Sequence, residues 1–372
     1  MKSKDRILFT YLVAFRTTGG LEKVNRTILK CLSFLKNEDT ITEAWSLYDN
    51  YVDEKYFPKV AFKGFNKNKL FFAFYLIISC FKWDKIIVGH INMASLLKIV
   101  KRINPSIKIV LIIHGIEVWD GLDNNKKWLL SNANKIISVS EYTKNIVVHK
   151  YGINPGCINV MHNCLDYYFP NEFTIEKPKY LQERYQIDRS CITLLTITRI
   201  NKNEERKGYD KILDVLSKIN SLNPAYNFHY LLCGKYEENE LVRLEKLIIE
   251  FNLENRVQFS GFIKDDELFD HYNLSDIYIM PSKKEGFGMV FIEAAACGLK
   301  VIAGNTDGSS EALLNGQTGI LVNPDNVEEI YNILNNMFLN KVIKCKKISD
   351  ITYRNFNFDI YKNKFLSIVN EV

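Results

Sequence analysis

The stretch that decides the fold is Ser275–Ala303, SDIYIMPSKKEGFGMVFIEAAACGLKVIA. It contains a short apolar run (Ile277–Met280), a loop with two glycines, a helix-length apolar segment and a second short run (Lys300–Ala303). This order predicts a strand, a helix and a second, parallel strand. Gly286 and Gly288 free the loop for close approach to a ligand, and the start of the following helix offers N–H groups and a positive dipole to an anion.

The same alternation of apolar runs and amphipathic segments fills the rest of the 372-residue chain in two series. It predicts an α/β protein with two Rossmann-like domains that face one another across a cleft. We place the N-terminal domain at 1–169, a linker with two prolines and many charges at 170–190, and the C-terminal domain at 191–350. The last segment, 351–372, is expected to be a helix that packs back on the N-terminal domain.

Composition and charge exclude several classes of protein. With 47% hydrophobic and 25% charged residues, the chain is neither disordered nor collagen-like. Residues 1–170 carry 24 Lys and Arg against 14 Asp and Glu, whereas 171–372 carry 25 against 29. A basic first half fits a domain that meets an anionic lipid or acceptor, and a general excess of lysine is the alternative. Without a nucleic-acid-binding motif beside the charge, we expect no nucleic acid partner.

The most apolar run, Leu70–Phe81 (LFFAFYLIISCF), is twelve residues long. A membrane-spanning helix needs about 20, so we expect a buried or docked helix, with a segment that dips into one face of a bilayer as the alternative. The eight cysteines form no C-x-x-C pair, and the N-terminus has no signal-peptide pattern. These features favour a cytoplasmic protein, either free or bound peripherally to the inner face of the cytoplasmic membrane.

Five loops that follow predicted strands carry candidate binding residues, because ligands of parallel α/β sheets bind at the carboxyl ends of strands. The candidates are Gly19 and Gly20, His114, Arg199 with Lys207, the loop at 281–293, and the loop at 304–311. Paired glycines before a helix suit an anion, and an imidazole can bind a sugar hydroxyl or a phosphate. Two cations before a helix can hold a diphosphate. Except at 281–293, each of these features is also compatible with a purely structural role.

The loop at 281–293 contains two carboxylates, Glu285 in the loop and Glu293 inside the helix. Their different positions predict contacts with different parts of one ligand and argue against a glycosidase-type acid–base pair. A carboxylate can accept hydrogen bonds from two hydroxyl groups and is therefore suited to binding a sugar or a ribose. No D-x-D-type pair stands on a suitable loop, so we expect neither a metal nor another cofactor.

Taken together, these loops resemble those of the retaining glycosyltransferases of family 4, also called group 1, which have the GT-B fold. The resemblance is strongest over 257–322, and the spacing Glu285-x7-Glu293 is its most specific element. It continues more weakly through 197–213 and through His162–Asp166, where Cys164 stands in place of the usual glycine.

The resemblance implies a role for each candidate. Glu285 and the amides of the residues after it would contact the donor sugar and phosphate, and Glu293 would bind ribose hydroxyls. Arg199 and Lys207 would hold the departing diphosphate; the long loop between them leaves open which of Lys202, Arg206 and Lys207 reaches it. The donor-binding set is Gly19, Gly20, Arg199, Lys207, Glu285, Gly286, Phe287, Gly288, Met289 and Glu293. His114 would lie by the donor sugar near the reacting carbon.

By this resemblance, the protein would move a hexose-type sugar from a UDP- or GDP-sugar to an acceptor hydroxyl, with retention of configuration. The expected acceptor is a saccharide or lipid-linked saccharide in the synthesis of a cell-surface polysaccharide such as O-antigen, capsule or lipopolysaccharide. Two alternatives remain at this point: a GT-B epimerase of UDP-sugars, and an inactive scaffold that binds nucleotide sugars.

Overall fold

The computed structural model describes residues 5–35 and 40–372, which divide into two compact α/β units. The first unit extends to Tyr168 and takes in Phe356–Val372, and the second unit comprises Phe169–Asn355. The chain therefore passes from the first unit to the second and then returns. As expected, the chain has an α/β architecture in which each unit is built on its own parallel sheet.

The first unit is built on a seven-stranded sheet whose neighbouring strands are all parallel, in the order β3-β2-β1-β4-β5-β6-β7. The strands are β1 (Asp5–Tyr11), β2 (Thr40–Ser46), β3 (Phe62–Gly64), β4 (Lys85–Val88), β5 (Lys108–Ile113), β6 (Lys135–Ser138) and β7 (Ile158–Val160). Its helices are α1 (Gly20–Ser33), α2 (Lys69–Ile78), α3 (Ala94–Ile103), α4 (Ile116–Trp119), α5 (Asn124–Asn132), α6 (Glu141–Tyr151) and, from the C-terminal segment, α15 (Phe358–Asn370).

The second unit has a six-stranded parallel sheet in the order β10-β9-β8-β11-β12-β13. The strands are β8 (Ile192–Ile197), β9 (Phe228–Cys233), β10 (Val257–Gly261), β11 (Ile277–Met280), β12 (Lys300–Gly304) and β13 (Ile320–Val322). Its helices are α7 (Lys179–Tyr185), α8 (Tyr209–Leu222), α9 (Glu238–Glu250), α10 (Asp265–Leu274), α11 (Met289–Ala296), α12 (Ser309–Ala312), α13 (Val327–Leu339) and α14 (Lys346–Phe356).

The central strands are apolar because helices cover both faces of each sheet. All four residues of β11 are buried, as are all four residues of β4 and five of the six residues of β5. Several helices begin at a side chain that caps the first turn: Ser140 accepts a hydrogen bond from the N–H of Thr143, and Asn68 from that of Phe71.

Some elements differ from the sequence-based expectation. The segment 170–190, interpreted as a linker, contains α7, which packs against α10 and pairs Arg184 with Glu267 at 2.7 Å. The C-terminal segment forms two helices, α14 and α15, because the side chain of Asn357 accepts a hydrogen bond from the N–H of Ile360 and starts a new helix. The short edge strand β3 was not expected.

The two sheets share one strand order, since β8 to β13 are arranged as β1 to β6 are. In each sheet the order reverses beside the first strand, and such a switch point is where α/β proteins bind ligands. In the first unit the loops after β1, β4 and β5 lie at this edge, and in the second unit the loops after β8, β11 and β12 do so. Every candidate loop of the sequence analysis is among them.

Candidate functional site

The loop after β11 leads directly into α11. Gly288 adopts a left-handed backbone (φ 94°) immediately before the helix, and a Cβ atom there would lie 2.3 Å from the ring of Phe291. Only glycine fits this turn without strain. The turn exposes the first N–H groups of α11, which have no partners within the helix, to whatever lies beyond the helix end.

Three other glycines press neighbouring loops against this one, backbone to backbone. A Cβ atom at Gly208 would lie 2.7 Å from the carbonyl oxygen of Pro281. At Gly304 it would lie 2.1 Å from that of Ser282, and at Gly308 it would lie 2.2 Å from that of Gly286. Each contact excludes any larger residue, so the loops after β8, β11 and β12 form one closely packed layer.

Asp307 ties two of these loops together. Its buried carboxylate accepts hydrogen bonds from the backbone N–H of Glu285 (2.7 Å) and of Ser309 (2.9 Å). In return, the N–H of Gly308 donates to the carbonyl oxygen of Glu285 at 3.0 Å. Burial raises the pKa of Asp307 to about 6, although the bonds to Ser309 oppose the shift. Asp307 belongs to the candidate loop at 304–311, although its own role was not predicted from the sequence.

Glu285 and Lys207 form an ion pair in which both side chains are largely buried. Burial lowers the pKa of Lys207 to about 8, an effect that Glu204 and Asp307 oppose and that the cations Arg206 and Arg199 reinforce. The site therefore holds a cation whose charge is costly to keep and which a polyanionic ligand would stabilise.

The other cations of this loop differ in their surroundings. Arg206 donates to the carbonyl oxygen of Lys284 (3.1 Å) and to the carboxylate of Glu204 (2.7 Å), so its guanidinium holds two loops together. Lys202 is exposed. Arg199 is also exposed, and it has no ion-pair partner among the residues that the structure describes. Of the cations considered, Lys207 is the one paired with Glu285, and Arg199 is near enough for its charge to act on Lys207.

Glu293 is the fifth residue of α11, just over one turn inside the helix, and is 1% exposed. Its Oε2 atom accepts a hydrogen bond from the hydroxyl of Tyr272 at 2.8 Å. The structure therefore places this carboxylate deeper than Glu285. Its contact with a ribose stays a prediction.

In the first unit, Gly19 and Gly20 lie at the start of α1, where the N–H of Lys23 donates to the carbonyl oxygen of Gly19 at 3.0 Å. Buried Asp49 fixes the loop before them. Its carboxylate accepts from the backbone N–H of Ala14 (2.7 Å) and of Arg16 (2.9 Å). Sequence reasoning missed Asp49 because it comes from a different loop, after β2.

His114 directly follows β5. Its Nε2 atom lies 2.8 Å from the carbonyl oxygen of Gly89, which can only accept, so Nε2 carries the proton and Nδ1 is left as an acceptor. Its backbone N–H donates to Glu117 at 2.5 Å. The ring of His90 stacks on it, with centroids 6.2 Å apart. Burial, and then the neighbouring His114, lower the pKa of His90 to about 4.

His90 was missed by the sequence analysis, although it could have been found. It follows β4 after one glycine, much as His114 follows β5, and the two strands are neighbours in the sheet. The structure thus brings His90, His114 and Glu117 together in the first unit. In the second unit it brings Glu285, Lys207, Asp307 and the residues 286–289 together.

Two family models match the chain. The one described as "Glycosyl transferases group 1" covers residues 184–355, and the one described as "Glycosyltransferase Family 4" covers residues 19–167. A 41.2 kDa protein of the cps region of Klebsiella pneumoniae is 25% identical over 325 residues, 81% of this chain and 85% of that protein. The GDP-mannose-dependent alpha-(1-6)-phosphatidylinositol monomannoside mannosyltransferase of Mycolicibacterium smegmatis is 27% identical over 236 residues, 60% of this chain and 59% of its own length. The match to this second relative thus spans less than two thirds of that protein.

Solved structures resemble the whole chain. HepE of Anabaena in complex with UDP and glucose has a TM-score of 0.81 at 18% identity, over 99% of this chain and 100% of that one. A glycosyltransferase from Rickettsia africae has a TM-score of 0.80 at 23% identity, over 99% and 98% of the two chains. At these identities the likeness shows the fold. Fold and matches together define a glycosyltransferase of the GT-B type. The chain belongs to the group 1, family 4 glycosyltransferases.

Gly308 packs so closely on the carbonyl of Gly286 that adding one methyl group at position 308 should disturb the site. We expect Gly308→Ala to displace the loop at 285–288, to lower kcat/KM by roughly tenfold or more and to cost about 1–3 kcal/mol of stability, as overpacking does elsewhere. The matched control is Gly121→Ala, because a Cβ atom at Gly121 meets nothing within 4 Å. Steady-state kinetics and thermal unfolding check both variants, and equal behaviour of the two would contradict the packing argument.

The lowered pKa of Lys207 predicts a pH dependence. Raising the pH through about 8 removes the proton of this lysine, so the affinity of the free enzyme for a nucleoside diphosphate should fall above that pH. Lys207→Arg keeps its charge over this range, and its affinity should vary less with pH. Calorimetric titration of UDP and of GDP between pH 6.5 and 9 measures both variants. Parallel profiles would exclude Lys207 as the titrating group.

Proposed function

We propose that this protein is a retaining hexosyltransferase that uses a UDP- or GDP-sugar and glycosylates a lipid-linked saccharide during synthesis of a cell-surface polysaccharide. The observation that carries the proposal is the Glu285–Lys207 ion pair beside the N-terminus of α11. This arrangement sets a cation and backbone N–H groups, which suit a diphosphate, next to a carboxylate that can accept sugar hydroxyls.

The proposed reaction breaks one bond and forms one. The oxygen of the acceptor hydroxyl attacks the anomeric carbon of the donor from the face that the diphosphate leaves. The bond between that carbon and the phosphate oxygen breaks, and the departing phosphate takes the acceptor's proton. The products are a glycoside and a nucleoside diphosphate.

In this step the protein stabilises charge. Lys207 and Arg199 would neutralise the negative charge that grows on the diphosphate, and the N–H groups at 286–289 would add to this effect. Glu285 would orient the sugar, and Glu293 would hold the ribose. With Nε2 fixed as a donor to Gly89, the Nδ1 atom of His114 would accept a hydrogen bond from a sugar hydroxyl.

Relatives support the choice of substrates. HepE was solved with UDP and with UDP-glucose, and the mycobacterial relatives are named for GDP-mannose, which suggests a nucleoside diphosphate sugar here. The names of those mycobacterial relatives include phosphatidylinositol monomannoside, and the Klebsiella relative belongs to a cps region. Both facts support a lipid-linked saccharide as the acceptor, and a role in the synthesis of capsule or a related polysaccharide.

The test is a panel of UDP- and GDP-sugars with lipid-linked saccharide acceptors, read by mass spectrometry and by NMR of the new anomeric centre. We expect one donor to be consumed and a product with the donor's anomeric configuration. An inverted product would refute the retaining mechanism. A donor converted to its epimer without an acceptor would make the protein an epimerase, and binding without turnover would make it a scaffold.

Glu285→Gln should lower kcat strongly while the fold stays intact. Loss of one charge-assisted contact made in the transition state costs about 2–4 kcal/mol, or roughly 30- to 1,000-fold in rate. Glu328→Gln is the matched control, because Glu328 forms an exposed ion pair with Lys218 in the same unit. Turnover measured on the donor found in the panel should be unchanged in the control. Wild-type turnover by Glu285→Gln would remove Glu285 from the site.

We also expect turnover without added divalent metal, because Lys207 and Arg199 provide the positive charge that a metal would otherwise supply at the diphosphate. The measurement compares initial rates in EDTA, in magnesium and in manganese. Loss of activity in EDTA that either metal restores would contradict this expectation.

A further inference from the structure

Helix α2 exposes a face that is as apolar as the face it buries. Phe72 and Leu76 point into the core of the first unit and are buried. On the opposite side Leu70, Phe71, Phe74 and Ile78 are all at least half exposed, Leu70 by 85%. These four positions fall within about 100° of the helix circumference, so they form one continuous stripe.

The stripe continues beyond the helix. A short turn, Cys80–Lys82, follows α2, and the side chain of Phe81 in it is 71% exposed. We call Leu70, Phe71, Phe74, Ile78 and Phe81 the α2 face. Large apolar side chains clustered on a surface in this way mark a site of interaction with a membrane or a protein. None of the described helices is long and apolar enough to cross a bilayer. Helix α2 has ten residues, about half the length that spanning requires, so its apolar face suits contact along a surface.

Only basic charges accompany the α2 face in the sequence. Residues 66–83, NKNKLFFAFYLIISCFKW, contain no Asp or Glu. Lys67 and Lys69 are exposed and have no ion-pair partner within the described part of the chain. Lys82 pairs with Glu43 at 2.5 Å, and the Nζ atom of Lys63 lies 3.1 Å above the ring of Tyr75.

We propose that the α2 face is the docking site for an anionic lipid bilayer. Its phenylalanine, leucine and isoleucine side chains would enter the boundary between head groups and acyl chains, and Lys67 and Lys69 would bind the anionic head groups. The excess of basic residues in 1–170 would also attract the protein to an anionic bilayer over long range.

The charges also argue against a second copy of this chain as the occupant. In a two-fold symmetric dimer formed through the α2 face, the same patch of both copies would meet. With the two helices parallel, Lys67 and Lys69 would approach their own equivalents, and with the helices antiparallel they would approach the end of the partner's helix that carries Lys82. Residues 66–83 offer no carboxylate to neutralise them in either arrangement. Like charges brought together in an interface are unfavourable, whereas an anionic bilayer removes this conflict.

The experiment is flotation of the full chain with vesicles of phosphatidylcholine alone or of phosphatidylcholine mixed with phosphatidylglycerol. We expect binding to the mixed vesicles only. Binding should weaken with salt, because the Debye length falls from about 10 Å at 0.1 M to about 3 Å at 1 M.

Two variants separate the apolar part from the charged part. Phe71→Ser with Phe74→Ser, and Lys67→Glu with Lys69→Glu, should each lower partitioning into mixed vesicles by roughly tenfold or more. All four side chains are exposed, so the fold should survive, and circular dichroism checks this. The matched control, Leu222→Ser with Ile249→Ser, changes two side chains of the second unit that are each 60% exposed, and it should bind as the wild type does.

Several results would overturn the proposal. These are no binding to mixed vesicles, equal binding to neutral ones, or equal losses in the control variant. A dimer in solution that Phe71→Ser with Phe74→Ser dissociates would assign the α2 face to a second copy. None of the substituted residues belongs to the candidate site. Hydrolysis of the donor in lipid-free buffer should therefore be the same in all these variants. A loss of vesicle binding with hydrolysis intact therefore tests the docking face separately from the sugar chemistry.

Discussion

The second unit depends on contacts between backbones that leave no room for a Cβ atom. Gly208, Gly304 and Gly308 each bring their own loop against a carbonyl oxygen of the segment 281–286. The position of Glu285 and of the amides after it is therefore determined by the neighbouring strands, and hardly by the loop's own side chains. Such a loop does not need to be ordered by its ligand, and the entropic cost of binding is correspondingly smaller.

Electrostatics complete this arrangement. Lys207 and Glu285 are both largely buried. A lone charge withdrawn from water in this way would be costly, and each of the two reduces that cost for the other. Asp307, which accepts a hydrogen bond from the N–H of Glu285, is also buried, and burial raises its pKa for the same reason. A diphosphate that approached Lys207 would take over part of the role of Glu285, and the carboxylate would then be available to sugar hydroxyls. Ligand and ion pair would thus compete for one cation.

The sequence allowed much of this to be predicted, because parallel strands buried on both faces appear as apolar runs, and binding loops follow them. The fold class, predicted from this alternation, and the family, predicted from the resemblance of the loops, are both confirmed. Asp307 and Asp49 escaped because each acts through a contact between loops far apart in the chain. His90 escaped although its position just after β4 matches that of His114 after β5. The break at Asn357 escaped because a single capping side chain decides it, and the helix α7 because prolines and charges around it obscured its apolar positions.

The path of the chain sets an order in which the two units can be completed during synthesis. The second unit is one continuous segment, Phe169–Asn355, so all of it leaves the ribosome before α15 does. The first unit lacks α15 until then, although Phe365 and Val369 are fully buried in it and Lys85 donates to the carbonyl oxygen of Val369 at 3.1 Å. The unit whose synthesis begins first is therefore completed last, and until then the apolar side chains that α15 covers remain exposed.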